Sequence, residues 1–164
     1  MRPVPDIAAP GQESVWDYPR PAIAQPTTRH IRIEHRGFVV ADTRAAIRTI
    51  ETSHPPSYYL PRADVLLSGL RRSARTSFCE WKGRATYHDL EVAGEILRDI
   101  AWSYPAPTPA FAALRDHFGF YAAPFDGCFV DGERVTPQSG GFYGGWITAD
   151  LAGPFKGVAG SRFW

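Results

Sequence analysis

The sequence predicts a mainly β domain carrying one short helix, over about residues 109–118. Three observations lead there. Short extended runs alternate or cluster apolar residues, turn dipeptides containing glycine separate them, and only one segment combines helical spacing with helical caps. Many short strands with a single helix make a small β-class fold.

The elements follow in order. Residues 1–28 carry prolines at 3, 5, 10, 19, 21 and 26, which remove backbone donors and stop helix propagation. Val15-Trp16-Asp17-Tyr18-Pro19 sets two aromatic rings in this arm. A flexible linker has no use for them, so the arm is expected to lie extended against the body. The body, 29–135, opens at His30-Ile31-Arg32-Ile33-Glu34, a strand by strict alternation, turns at His35-Arg36-Gly37 and returns along Phe38-Val39-Val40-Ala41. Arg44 to Glu51 fits two patterns: Ala46, Ile47 and Ile50 have helical spacing, whereas Ala46, Arg48 and Ile50 share one strand face. Ser57-Tyr58-Tyr59-Leu60 is an extended run fenced by Pro55-Pro56 and Pro61. Arg84 to Ala93 and Ile96 to Trp102 flank Gly94-Glu95 as a hairpin.

The helix rests on Thr108 as N-cap, Pro109 at the first helical position and Gly119 at the left-handed position past the end. Phe111, Leu114 and Phe118 share its face. Cys128-Phe129-Val130 and Arg134-Val135 flank Asp131-Gly132, a tight-turn dipeptide. The tail, 136–164, is unusual from residue 140 on: seven of its last 25 residues are glycine and six are aromatic. Glycine allows close backbone approach and rings fill grooves, so the tail is expected to wrap the body or a second subunit, giving a homo-oligomer in the latter case.

Composition limits the function classes. The chain has 164 residues, 13% of them aromatic, with a formal net charge of +1. This size suits one domain, and near-neutral charge argues against a nucleic-acid partner. No run approaches the roughly 18 apolar residues of a membrane span, and the first residues lack an apolar signal core. A soluble cytoplasmic domain with no membrane partner is expected. The two cysteines, Cys79 and Cys128, are 49 residues apart and outside any CxxC, so both are expected reduced and no metal site is expected.

Several catalytic signatures are missing, among them the GxxxxGK[ST] phosphate loop, GxGxxG, HExxH and GxSxG. His30 and His35, five apart, face opposite sides of a regular strand. Asp126 and Asp131 are likewise five apart, and no Asp-x-Asp pair exists for two cations.

What remains is polar groups set among rings. In Glu51-Thr52-Ser53-His54-Pro55-Pro56, the prolines fix the backbone of His54, which suits a preorganised acid, base or ligand; a hydrogen bond to a loop carbonyl is the ordinary alternative. In Phe78-Cys79-Glu80-Trp81-Lys82-Gly83, Lys82 is one of only two lysines beside sixteen arginines, the other being Lys156. The two cation types are not interchangeable, so a retained lysine suggests that a compact ammonium is wanted. Lys82 could bind an anionic group or act as base or nucleophile, or it could be a solvated turn residue. Cys79 is either a thiolate activated by Lys82 or a small buried apolar residue. In Trp102-Ser103-Tyr104-Pro105, the rings of Trp102 and Tyr104 could join Tyr59, Trp81 and Tyr87 as walls of an aromatic pocket, or simply pack a core. Arg71, Arg72, Arg75 and Arg84 could grip phosphate or carboxylate, or form a solvated face.

At these clusters the chain resembles a known family. ETSHPPSYYLPRADV, CEWKGRATY, AWSYPAP and FVDGERV, in that order, are similar to the family catalogued as domain of unknown function 427, over about residues 29–135. The strings SVWDYPRP and GGFYGGWITADLAGPFKG resemble its extended form. The resemblance implies antiparallel sheets of the β-tent type. The family also carries the label nucleotidyltransferase-like, although paired aspartates and a Gly-Ser phosphate turn are missing here. Some β-tent relatives hold zinc with two CxxC knuckles, which this chain lacks, and others hold small ligands in aromatic cages.

Three functional expectations result. The first is a small-molecule-binding domain whose pocket is lined by His54, Tyr59, Cys79, Trp81, Lys82, Tyr87, Trp102 and Tyr104, with the ligand and any cofactor unspecified. The second is an enzyme, a nucleotidyltransferase by family label, with His54 as general base or acid and Lys82 or Cys79 as electrophilic support or nucleophile. The third is an interaction module docking through the aromatic tail.

Overall fold

In the computed structural model, which describes residues 1–164, fifteen strands form two main antiparallel sheets and two small pairs. β1 (Glu13–Ser14) and β2 (Ile23–Pro26) lie in the arm. The body holds β3 (Ile31–His35), β4 (Phe38–Thr43), β5 (Ile47–Ile50), β6 (Ser57–Pro61), β7 (Leu70–Cys79) and β8 (Gly83–Val92). It continues with β9 (Glu95–Ser103), β10 (His117–Phe120), β11 (Gly127–Val130) and β12 (Glu133–Arg134). β13 (Thr136–Pro137), β14 (Trp146–Ile147) and β15 (Leu151–Ala152) belong to the tail. The larger sheet runs β2-β5-β6-β10-β9-β8-β7 and the smaller β12-β11-β3-β4, so the fold is mainly β. No helix is long and apolar enough to cross a membrane.

Three two-residue turns build the local geometry. Arg36-Gly37, Ala93-Gly94 and Asp131-Gly132 each set two consecutive residues at positive φ, with Asp131 at 48° and Gly132 at 80°. That backbone twist matches the twist of the strands it joins, so the turns close the hairpins β3–β4, β8–β9 and β11–β12. The middle turn falls one residue earlier than Gly94-Glu95, because Val92 pairs directly with Glu95. The segment 44–51, which fitted helix or strand, becomes strand β5 because β2 and β6 pair with it on either side.

The one short helix expected over about 109–118 is present, but it ends earlier. Only Pro109–Leu114 coils, as a 3-10 segment broken at Phe111 (φ −115°, ψ 19°), and the chain then enters β10. Phe118 pairs with Leu60, and Gly119 pairs with Tyr59 and Trp102. Pairing on both sides of β10 outweighs the local helical preference. Gly119 is therefore a strand residue and no helix cap: a Cβ there would meet the Trp102 indole at 2.5 Å. β7 was not foreseen either. It is an edge strand whose exposed positions include Arg71 and Arg72, so it has no apolar stripe to betray it.

The larger sheet buries both faces, and this creates the site. Tyr58, Leu60, Ala101 and Phe120 face the smaller sheet and pack with Ile31, Ile33, Val40, Cys128 and Val130 in the main core. The alternate residues Tyr59 and Trp102 emerge on the opposite face, with Ile47, Ala85, Tyr87, Tyr104, Phe111 and Leu114. The arm and tail form a third cluster, in which Val15, Trp16 and Tyr18 pack with Ile50 and Leu151.

Candidate functional site

The loop carrying His54 is held by four main-chain bonds from outside it. Thr52 N donates to Pro19 O at 3.1 Å and Ser53 N to Val15 O at 2.9 Å, both in the arm. From the tail, Lys156 N donates to Ser53 O at 2.9 Å and Trp146 N to Pro56 O at 2.8 Å. Arm and tail thus fix the turn that the two prolines stiffen.

The loop carrying Lys82 joins β7 to β8 and is pinned by one residue. Thr108 donates its hydroxyl to Trp81 O at 2.6 Å and its backbone N–H to Lys82 O at 3.1 Å. Thr108 occupies the expected N-cap position before Pro109, but its hydroxyl makes no cap bond and orients Trp81 and Lys82. Lys82 Nζ lies 3.9 Å from Cys79 Sγ and 5.8 Å from the centre of the Phe111 ring.

The rings lock together edge to face. Trp102 Nε1 donates to the Tyr59 hydroxyl at 3.1 Å, and the two rings meet at 89°. Tyr121 packs 4.8 Å from Trp102, and Tyr87 bonds the Ser77 hydroxyl at 2.9 Å. From the tail, Tyr143 lies 4.8 Å from the His54 ring.

These groups border one solvent-reachable cavity of about 450 Å³. His54, Tyr59, Cys79, Trp81, Lys82, Tyr87, Trp102 and Tyr104, from three separate stretches of chain, all line it. The sequence reading did not single out Tyr121, Gln138, Phe142, Tyr143 or Lys156, which complete the wall together with Glu51. The available signal was the lysine count: both lysines of the chain border this space.

A family model described as domain of unknown function (DUF427) matches residues 23–131, about two-thirds of the chain. The chain belongs to the DUF427 family. No curated protein matches it. The DUF427 segment holds all eight residues named above, whereas Gln138, Tyr143 and Lys156 come from the tail beyond it.

In this DUF427 protein the electrostatics of the cavity are set by burial and by cations. Burial, then Lys156, Arg20 and Lys82, push the His54 imidazole down to about 3, so it is neutral. Its tautomer follows from Gln138. Gly145 N donates to Gln138 Oε1 at 3.0 Å, and Gln138 Nε2 donates to Lys156 O at 2.8 Å. The remaining amide hydrogen goes to His54 Nδ1 at 3.1 Å, which places the imidazole proton on Nε2, 3.6 Å from Glu51 Oε2. His54 is thereby an N–H donor whose lone pair is engaged, an arrangement unsuited to a general base.

Burial opposes the charge on Lys82, but Tyr59, Cys79 and Glu51 around it outweigh burial and hold its pKa above the ordinary lysine value. Burial and Arg20 draw Lys156 below that value. Burial raises the phenols of Tyr104 and Tyr121, keeping them protonated.

Elsewhere, candidate groups are dispersed. His30 bonds Asp42 at 2.7 Å, while buried His35 bonds Glu95 at 2.9 Å and accepts from Asp126 N at 3.2 Å. Cys128 is in the main core, where burial pushes its thiol far up. No group of three or more His, Cys, Asp or Glu side chains is placed to hold a metal ion.

Proposed function

We propose that this DUF427 protein is a small-molecule-binding domain and that the aromatic cavity is its binding site. The observation that carries the reading is convergence. Residues from three stretches of body and from the tail border one cavity of about 450 Å³. Its volume falls in the roughly 300–1,000 Å³ range of ligand sites, and its lining mixes aromatic rings with polar and charged groups.

Binding is preferred to nucleotidyl transfer, the activity in the family label. That reaction wants carboxylates gathered around cations, and Glu51, the carboxylate beside His54, is bonded by Arg20 at 3.3 Å. A neutral His54 with its lone pair engaged supplies no base either.

The test is a metabolite mixture screened by ligand-observed NMR against the wild type and Cys79→Phe, which puts a ring into the cavity. Compounds that bind the wild type and are lost in the variant support the reading. Absence of any binder, or equal binding to both proteins, ends it. Labelled nucleotide with Mg²⁺ or Mn²⁺, run in parallel, would reveal any transfer.

A further inference from the structure

The aromatic walls alone would suit a neutral or cationic guest, because ring faces attract cations. The charged groups reverse that preference. Sixteen of the eighteen basic residues are arginine, yet the two lysines both border the cavity. Arginine brings a planar fork, whereas lysine brings a compact point charge with rotatable donors.

Lys82 is half-buried, and its nearest polar side-chain partner is the Cys79 sulfur at 3.9 Å. Neither lysine is paired with a side-chain carboxylate. Glu51 is taken by Arg20 at 3.3 Å, and Glu80, at the rim, is exposed. Lys156 reaches the Trp164 oxygen at 3.4 Å, an oxygen that Arg20 shares, and stands 5.7 Å from the centre of the Tyr143 ring. Cations withdrawn from water are ordinarily paired with anions.

The hydrogen-bonding capacity leans the same way. Gln138 Oε1 accepts from Gly145 and the Tyr59 oxygen accepts from Trp102, while the ammonium hydrogens of Lys82 and the Nε2–H of His54 remain to be used. With two ammonium groups and an imidazole N–H facing the cavity, the donors that remain call for a guest carrying acceptors.

We infer that the ligand is a planar ring compound bearing an oxyanion, a carboxylate or a phosphate, with the anion held by Lys82 and Lys156. This rests on the binding function proposed above and specifies its chemistry. The anion is drawn to two cations, and the ring lies among Tyr59, Trp81 and Trp102.

The experiment compares four probes on one ring: 2-naphthoate, 2-naphthyl phosphate, neutral 2-naphthamide and the cation 2-naphthylmethylammonium. Each is titrated calorimetrically into the full-length wild type. At least one oxyanion should bind about tenfold or more tighter than the amide, the worth of one charge-assisted hydrogen bond, and the ammonium should bind weakest. Whichever oxyanion binds tighter identifies the source of the charge. Lys82→Gln or Lys156→Gln should erase the advantage of the anion over the amide.

An amide as tight as both oxyanions, or an ammonium tighter than either, overturns the assignment while leaving the cavity a binding site. If no probe binds, this inference falls, and the metabolite screen decides the binding function separately. The wild-type ranking decides between these outcomes even if a lysine variant does not fold.

Discussion

Gln138 donates an amide N–H to His54 Nδ1 across 3.1 Å, joining the tail to the loop that carries the imidazole. Since the other two polar contacts of the amide fix its orientation, this one bond decides which nitrogen of His54 holds the proton. A residue beyond the DUF427 match thus sets the chemistry of one within it.

The first prediction concerns pH. An ordinary histidine titrates near 6.5, and in this fold burial and nearby cations hold His54 at about 3. Between those values the unfolded chain binds a proton that the folded chain refuses. The stability contributed is complete above pH 6.5 and is lost as pH falls toward 3, at up to about 1.4 kcal/mol per pH unit. Urea midpoints at pH 7 and pH 5 should differ more in the wild type than in His54→Asn. Parallel losses in both proteins would assign the effect to other groups. Nitrogen chemical shifts of the ring should report the Nε2–H tautomer at neutral pH.

The second concerns Trp102, which is pressed by glycine from two directions. Gly119 of β10 and Gly144 of the tail each approach so closely that an added Cβ would strike the indole. Gly144→Ala must move the ring or the tail, at a cost of about 1–3 kcal/mol. Because Trp102 lines the cavity, near-UV circular dichroism should change with the stability. A variant with unaltered stability and spectrum would show that the tail yields freely.

The third separates the thiols. Cys128 is 2% exposed within the core, whereas Cys79 is half-buried and borders the cavity. A thiol-exchange reagent should label one cysteine in the native protein and two in denaturant, with Cys79 identified by mass spectrometry. An oxyanion probe bound in the cavity should slow that labelling. Native modification of Cys128 would contradict the burial described here.

The parts of the fold written locally were legible in the sequence. Asp131-Gly132 and Arg36-Gly37 announce their turns because the dipeptide itself adopts the required positive φ. The short helix stops at Leu114, short of 118, because Phe118 and Gly119 answer to strands far away in sequence, and no local pattern encodes that pairing. β7 escaped because an edge strand exposing arginines shows no apolar alternation. For the cavity, the two prolines after His54 and the scarcity of lysine singled out His54 and Lys82. Gln138 stayed hidden, since a glutamine in a glycine-rich stretch carries no mark of the imidazole that it will meet.

The fourth prediction asks whether the tail is structure or appendage. Trp146 is 1% exposed, sits in the main core with Tyr58 and Phe120, and donates its indole N–H to Phe120 O at 3.0 Å. Removing that ring leaves a large void and strips a buried carbonyl of its partner. Trp146→Ala should therefore cost about 3–5 kcal/mol, read from urea unfolding, and Trp146→Phe distinctly less. The backbone N–H of Trp146 also holds Pro56, and Lys156 holds Ser53, so a loosened tail releases the His54 loop. Loss of stability in Trp146→Ala should therefore be accompanied by loss of the His54 tautomer signal under native conditions. If the variant unfolds like the wild type, or keeps an intact His54 environment, the tail does not support the cavity in the way its hydrogen bonds imply.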